Sequence, residues 1–137
     1  MRFSASILLA SLTTMASAAP TSLATNILSK RENRCENSTF ENASSGGSPQ
    51  IADCEQLARN IEGSGNWNLG CSQRTIATYG TCAFGAEGKY CFAHVGNEDV
   101  RDLIRDSIAK FSWEGKVGAR GDMTCGGTAV NWGLYHT

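Results

Sequence analysis

The chain has 137 residues, 41% of them hydrophobic, with 12 basic side chains against 13 acidic ones. That length is one domain. It carries no excess of Lys and Arg of the kind phosphates demand, so nucleic acid and anionic membrane are poor partners for it.

The first residues read as a targeting segment rather than fold. Arg2 is a short positive start, and the apolar run FSASILLASL (3–12) falls well below the roughly 20 residues of a membrane-spanning helix. The small-x-small triplet ASA at 16–18 marks a signal peptidase site, so a signal peptide 1–18 with cleavage after Ala18 is expected. Cleavage one residue later would leave Pro20 at the new terminus. Segment 19–31 is uncharged until it ends in Lys30 and Arg31, the chain's only dibasic pair. A kexin-type secretory protease cuts after such a pair, so 19–31 is expected to be a propeptide with its processing site at Lys30 and Arg31. The mature single domain is then 32–137. Losing Arg2, Lys30 and Arg31 takes the twelve basic residues to nine against thirteen acidic ones, a formal charge of −4.

Every cysteine follows that pair: Cys35, Cys54, Cys71, Cys82, Cys91 and Cys125. An even number in a small secreted chain reads as a disulfide framework. Zinc would need close ligand pairs such as C-x-x-C, and no two cysteines here are nearer than nine positions. No metal and no cofactor are therefore expected. Two N-glycosylation sequons, at Asn37 and Asn42, sit in a polar, Ser-rich stretch and fit export.

The first predicted helix lies in SSGGSPQIADCEQLARNIEGSG, with Ser48 as its cap and Pro49 at its first position. Ile51, Cys54, Leu57, Ala58 and Ile61 recur at helical spacing, and Gly63 stops the run. Cys54 falls on this apolar stripe, so its partner should come from the core side of a sheet. NWNLG is a short strand and RTIATYGTCAFG a longer one. Residues 86–88 (AEG) read as a turn, with KYCFAHV returning, which would put Cys82 and Cys91 on neighbouring strands. The second helix, GNEDVRDLIRDSIAKFSWEG, has Asn97 as cap and Glu98 and Asp99 in its first turn. Its stripe is Val100, Leu103, Ile104, Ile108 and Phe111, and Arg101, Asp102, Arg105, Asp106 and Lys110 read as its solvated face. The tail gives two more strands with a turn near Gly126. Helices separated by antiparallel hairpins indicate an α+β domain, with both helices packed on one antiparallel sheet.

No catalytic constellation emerges. The sequence has no G-x-S-x-G elbow, no H-E-x-x-H and no phosphate loop. His94 falls in a predicted strand, His136 is near the tail, and bridged cysteines leave no thiol nucleophile. A glycosidase needs only two carboxylates on a cleft, and sequence does not exclude that. The acids here mostly fall on helix starts and exposed faces. Arg120-Gly121-Asp122 is an RGD tripeptide, a short motif that arises by chance, and its glycines suit a strand bend or bulge. Of Trp67, Trp113 and Trp132, at least two are expected in the core.

The ordered segments CENSTFENASSGGSP, DCEQLARNIEGSGNW, YGTCAFG and VGNEDVRDLIRDSIAKFSWEGKVGARGDMTCGG...VNWG together resemble the fungal effector domain of the extracellular-protein-two type, also described as a necrosis-inducing factor. The likeness covers about 35–135. It implies a secreted protein of the plant apoplast that promotes virulence or provokes host cell death, with a small killer-toxin-like α/β sandwich. It brings no catalytic residues. Four cysteines of its pattern match Cys35, Cys54, Cys82 and Cys125, with Cys71 and Cys91 additional. The implied pairing is Cys54–Cys82 and Cys35–Cys125, with Cys71–Cys91 left over. The residues themselves leave all fifteen pairings open, and the hairpin does not favour the last pair.

The expected function is therefore that of a fungal effector, probed in the apoplast by infiltration, that binds a host plant protein or cell-wall component as a monomer without catalysis. A killer-toxin-like protein acting on membranes or ion channels of competitors through a few cations, such as Lys89 or Lys116, is the second reading. A cell-wall hydrolase is the third.

Overall fold

The computed structural model describes residues 33–63, 65–72 and 74–137. The expected signal peptide, propeptide and processing residues Ala18, Lys30 and Arg31 lie outside the described residues. The elements run β1 (Cys35–Glu36), β2 (Glu41–Asn42), α1 (Ile51–Asn60), β3 (Asn66–Leu69), β4 (Arg74–Tyr79), β5 (Cys82–Gly88), β6 (Ala93–Gly96), α2 (Asn97–Phe111), β7 (Ala119–Cys125) and β8 (Thr128–His136).

The main sheet has the order β1-β7-β8-β5-β4, with β2 also on β7, and every pair is antiparallel. β1 and β2 are two pieces of one edge strand. Cys35 faces Cys125, but Glu41 faces Arg120, so the edge holds one extra residue. Asn37, in that gap, takes φ 55°. This is a β-bulge. β3 and β6 form a separate two-stranded sheet. The α+β class with two helices on antiparallel strands is the one expected, and this small second sheet is added to it.

One face of the main sheet meets the helices. Phe84, Ala86, Met123, Val130, Trp132 and Leu134 pack there with Cys54 and Leu57 of α1 and Val100, Leu103 and Ile104 of α2. Trp132 stacks on Phe84 at 6.0 Å and meets the edge of Phe40 at 5.3 Å. Trp67 packs against this core half-buried, while Trp113 is 47% exposed. Disulfides join Cys54 to Cys82, tying α1 to β5, Cys35 to Cys125 across β1 and β7, and Cys71 to Cys91 between two connecting loops.

Both helices begin differently from the sequence expectation. Gln50, not Ser48, precedes the first turn of α1, and its N–H is donated to Thr81 Oγ1 at 2.9 Å. Ser48 is buried beside the helix, where its hydroxyl accepts the Ser45 N–H and donates to Ala43 O. Gly96 precedes α2, and its N–H goes to the carboxylate of Asp99 at 2.8 Å. Asp99 also accepts the N–H groups of Arg34 and Cys35, which fastens the start of the domain to α2. Asn97 is the first helical residue. It is fully buried and donates from Nδ2 to Ile61 O, closing the end of α1. At α1 the acceptor comes from far along the chain, whereas α2 is closed locally by its own Asp99.

Two further readings are corrected. Residues 86–88 are not a turn. β5 runs on through Gly88 and pairs with β8 along its whole length, and the tight turn comes earlier, between Tyr79 and Cys82. Cys82 and Cys91 are therefore not on neighbouring strands, since Cys91 lies before β6, whose partner is β3. Arg101 does not belong to a solvated face. It is 3% exposed, donates to Ala58 O, and pairs with Glu98 at 2.6 Å and Glu62 at 3.3 Å. α1 crosses over it, and a buried guanidinium is held only where its donors are met.

Candidate functional site

Among the described residues, no helix lies over the second face of the main sheet. Strand alternation fixes its side chains. Across β7, β8 and β5 they fall in rows: Asp122, Asn131 and Glu87 in one, Arg120, Gly133 and Gly85 in the next, then Tyr135 and Ala83. The middle row is floored by glycines. A Cβ built on Gly85 would stand 2.3 Å from Tyr135 Oη, so the Tyr135 side chain lies directly across that bare backbone. Its hydroxyl shares a 2.6 Å hydrogen bond with Thr75 Oγ1 of β4, which locks the ring in place.

Over this floor lies an open cleft of about 600 Å³, whose polar lining includes Glu41, Arg120, Asp122, Asn131, Tyr135 and His136. Arg120 Nε donates to Glu41 Oε2 at 2.7 Å across β7 and β2. Both side chains are mostly exposed, so the pair adds little to stability and stays available to a ligand. The loop 43–48 makes one wall. It is pinned by Ala43 N–H to Gly118 O and by Ser44, whose hydroxyl donates to Phe111 O at 2.6 Å and accepts the Gly118 N–H.

The RGD tripeptide lines this cleft and lies within β7, not on a loop. Gly121 is no bend or bulge. The bulge is on the opposing edge strand, and a Cβ at Gly121 would run into the carbonyl of Thr39. Glycine is required there because Thr39 is drawn close, donating its N–H to Asp122 O.

The other sequence candidates do not converge. His94 is exposed on β6 of the small sheet, and His136 ends β8, its Nδ1 2.9 Å from Thr137 O. No cysteine among the described residues is free. Lys116 Nζ donates to Gly46 O. Asn37 is exposed at the bulge, and Asn42 Oδ1 accepts the Ser44 N–H. Among the described residues, no cluster of His, Cys, Asp or Glu is arranged to hold a metal, and no helix is long and apolar enough to cross a membrane. What the outer face offers is planar hydrogen-bonding groups around an ordered aromatic ring, the equipment of polar recognition.

A family model, "Hce2: Pathogen effector; putative necrosis-inducing factor", matches residues 34–125. Two proteins of Penicillium expansum are similar. "Probable chitinase LysM18" is 41% identical over 112 residues, which is 74% of this chain and 8% of that protein. "Secreted chitinase LysM12" is 37% identical over 109 residues, 72% of this chain and 7% of that protein. The chain thus spans less than a tenth of the length of the curated relatives it matches.

Proposed function

The chain belongs to the Hce2 family of pathogen effectors, and on that premise we propose that it is a secreted effector that works outside cells, in the plant apoplast, by binding a host or cell-wall target without catalysis. The uncovered outer face of the main sheet is its binding surface. The observation that carries this is the cleft itself: paired but exposed Arg120 and Glu41, with Asp122 and Asn131, set around a Tyr135 ring held down over glycine. Such planar donors and acceptors suit the hydroxyl and amide groups of a wall polysaccharide. The two chitinase relatives support a wall polymer as the first target to try. Processing after Arg31 and glycans at Asn37 and Asn42 belong to the same proposal, since both sequons lie on the edge strand beside the cleft.

The test is retention of the purified, oxidised protein on insoluble chitin and on plant-wall material, wild type beside a variant carrying Arg120→Ala and Asn131→Ala. Retention is expected to fall about tenfold or more in the variant, as when polar contacts at a binding centre are removed. Infiltration of both proteins into leaves should show cell death following the same order. Equal retention of the two would remove the cleft from the reading. The relatives' names favour one second reading, a wall hydrolase using Glu41 and Asp122. Sugar released from chitin and lost on Glu41→Gln would establish it in place of simple binding.

A further inference from the structure

We propose that the loop between β5 and β6 is a docking tip for a phospholipid surface, a site separate from the outer-face cleft. Tyr90 is 70% exposed and Phe92 85%, the two most exposed large apolar side chains among the described residues. Exposed aromatics of this size mark interaction surfaces. They flank Cys91, which takes φ 73°, a conformation that side chains with a Cβ rarely adopt. The bond from Cys91 to Cys71 holds it there. Backbone anchors fix the segment that leads into it: Cys91 N–H to Gly88 O at 3.2 Å, Gly88 N–H to Gly70 O at 3.1 Å, and Lys89 N–H to Ala129 O at 2.9 Å. Strained backbone that its surroundings hold in place gathers at functional sites. Here it presents two rings outward on a turn already ordered before anything binds, which lowers the entropy cost of binding.

Charge chooses the partner. Phe92 walls a cleft of about 140 Å³ against the β7–β8 turn, and the basic side chains lining that cleft are Arg34 and His94, with no carboxylate among them. On the other side of the loop, Lys89 Nζ stands 5.8 Å over the Tyr90 ring. Apolar rings with the Lys89 and Arg34 cations beside them match a phosphate headgroup above hydrocarbon. Free phosphate would leave Phe92 unexplained. The carboxylates of Glu36 and Glu87 lie nearby on the outer face, opposite Thr124 and Asn131, Asp122 lines a cavity with Lys89, and Asp99 accepts the Arg34 N–H. They offset the cations in the local sum, so the headgroup phosphate, and not a net negative surface, is recognised. More distant acids are screened within about 8 Å at physiological salt. With no helix fit to span a membrane among the described residues, the contact is peripheral.

The experiment is co-sedimentation of the full chain, secreted and purified with its disulfides intact, with phosphatidylcholine vesicles made with and without phosphatidylserine. Binding to plain phosphatidylcholine is expected. It should fall about tenfold or more in Phe92→Ser, as the loss of one buried aromatic side chain implies, with unfolding unchanged because Phe92 is solvent-exposed. A Cys71→Ser, Cys91→Ser double variant, which keeps the two other disulfides, should lose most of the binding while retaining its cooperative unfolding. Equal sedimentation of wild type and Phe92→Ser would overturn the proposal. So would binding that requires phosphatidylserine and ignores Phe92. Retention on insoluble chitin that is lost in Phe92→Ser, with no vesicle binding, would overturn it in favour of a sugar-stacking tip.

Discussion

The two faces of the main sheet come from the same strands and do opposite work. On the inner face Phe84, Met123, Trp132 and Leu134 are buried under two helices. One residue along, the outer face carries Arg120, Asp122, Asn131 and Tyr135, which line the cleft and have no helix over them among the described residues. The inner face draws its stability from apolar burial and a buried disulfide. The outer face adds little, because its ion pair is solvated, and its order comes from glycine floors and one tyrosine lock. A strand that alternates in this way lets the binding surface vary without touching the core.

The largest effect should come from the inner side. Replacing Cys54 and Cys82 together with serine removes the bond between α1 and β5, both of whose residues are fully buried. The expected cost is about 2–5 kcal/mol, read as a lower midpoint in denaturant unfolding. A loss much smaller than this would mean that the helix layer holds to the sheet by packing alone, and the contrast between the faces would weaken.

A middle-sized effect belongs to the outer face and should separate order from stability. Gly85→Ala places a Cβ where Tyr135 Oη now lies, so the ring must lift and the bond to Thr75 must break. Unfolding should lose roughly 1–2 kcal/mol, at the lower end of overpacking costs because a side-chain tip yields more readily than backbone. Target binding should suffer more than stability. Should Gly85→Ala unfold the domain as severely as loss of Cys54–Cys82, the outer face would be part of the core and not a separate surface.

The sequence showed some of this contrast. Both apolar helix stripes were legible, because a period of 3.6 is a local property, whereas the tail was legible only as two strands and the outward setting of Arg120 and Asp122 was not. What it hid was non-local. Gln50 meets Thr81, so the start of α1 could not be read from its own residues, and Asn97 is turned inward to meet Ile61 instead of capping α2. Residues 86–88 are small because Ala86 and Gly88 face the packed interior, and smallness there looked like a turn. Arg101 sat among charges that suggested solvent, and only the crossing of α1 buries it. The Tyr135 lock joins β8 to β4 over Gly85, a triplet that no spacing rule announces. KYCFAHV was expected to return as one strand of a hairpin, whereas β6 begins only at Ala93, leaving Tyr90 and Phe92 outside any strand.

The smallest effect is one of pH, and it concerns two acids on the helix layer with opposite signs. Asp53 of α1 accepts both the N–H and the hydroxyl of Thr81 at the β4–β5 turn, and these bonds, the backbone one first, hold its carboxyl below the ordinary range. Its contribution is therefore present above the ordinary carboxylate range and is lost as pH falls through the lowered value. Asp102 of α2 is pushed up, first by burial and then by Glu98 and Asp106. Its ionised form is a cost at neutral pH, and that cost disappears as pH falls through the raised value toward the ordinary one. Asp102→Asn should accordingly raise stability at neutral pH by a few tenths of a kcal/mol, about the size left to a partly solvated charge after screening. Asp53→Asn should lower it. In thermal unfolding followed from neutral to acid, the Asp102→Asn gain should vanish first, at the ordinary carboxylate range. The Asp53→Asn deficit should persist to lower pH. The reverse order would mean that Thr81 does not hold Asp53 in solution, and the seam between helix layer and sheet would then rest on the disulfide and apolar packing alone.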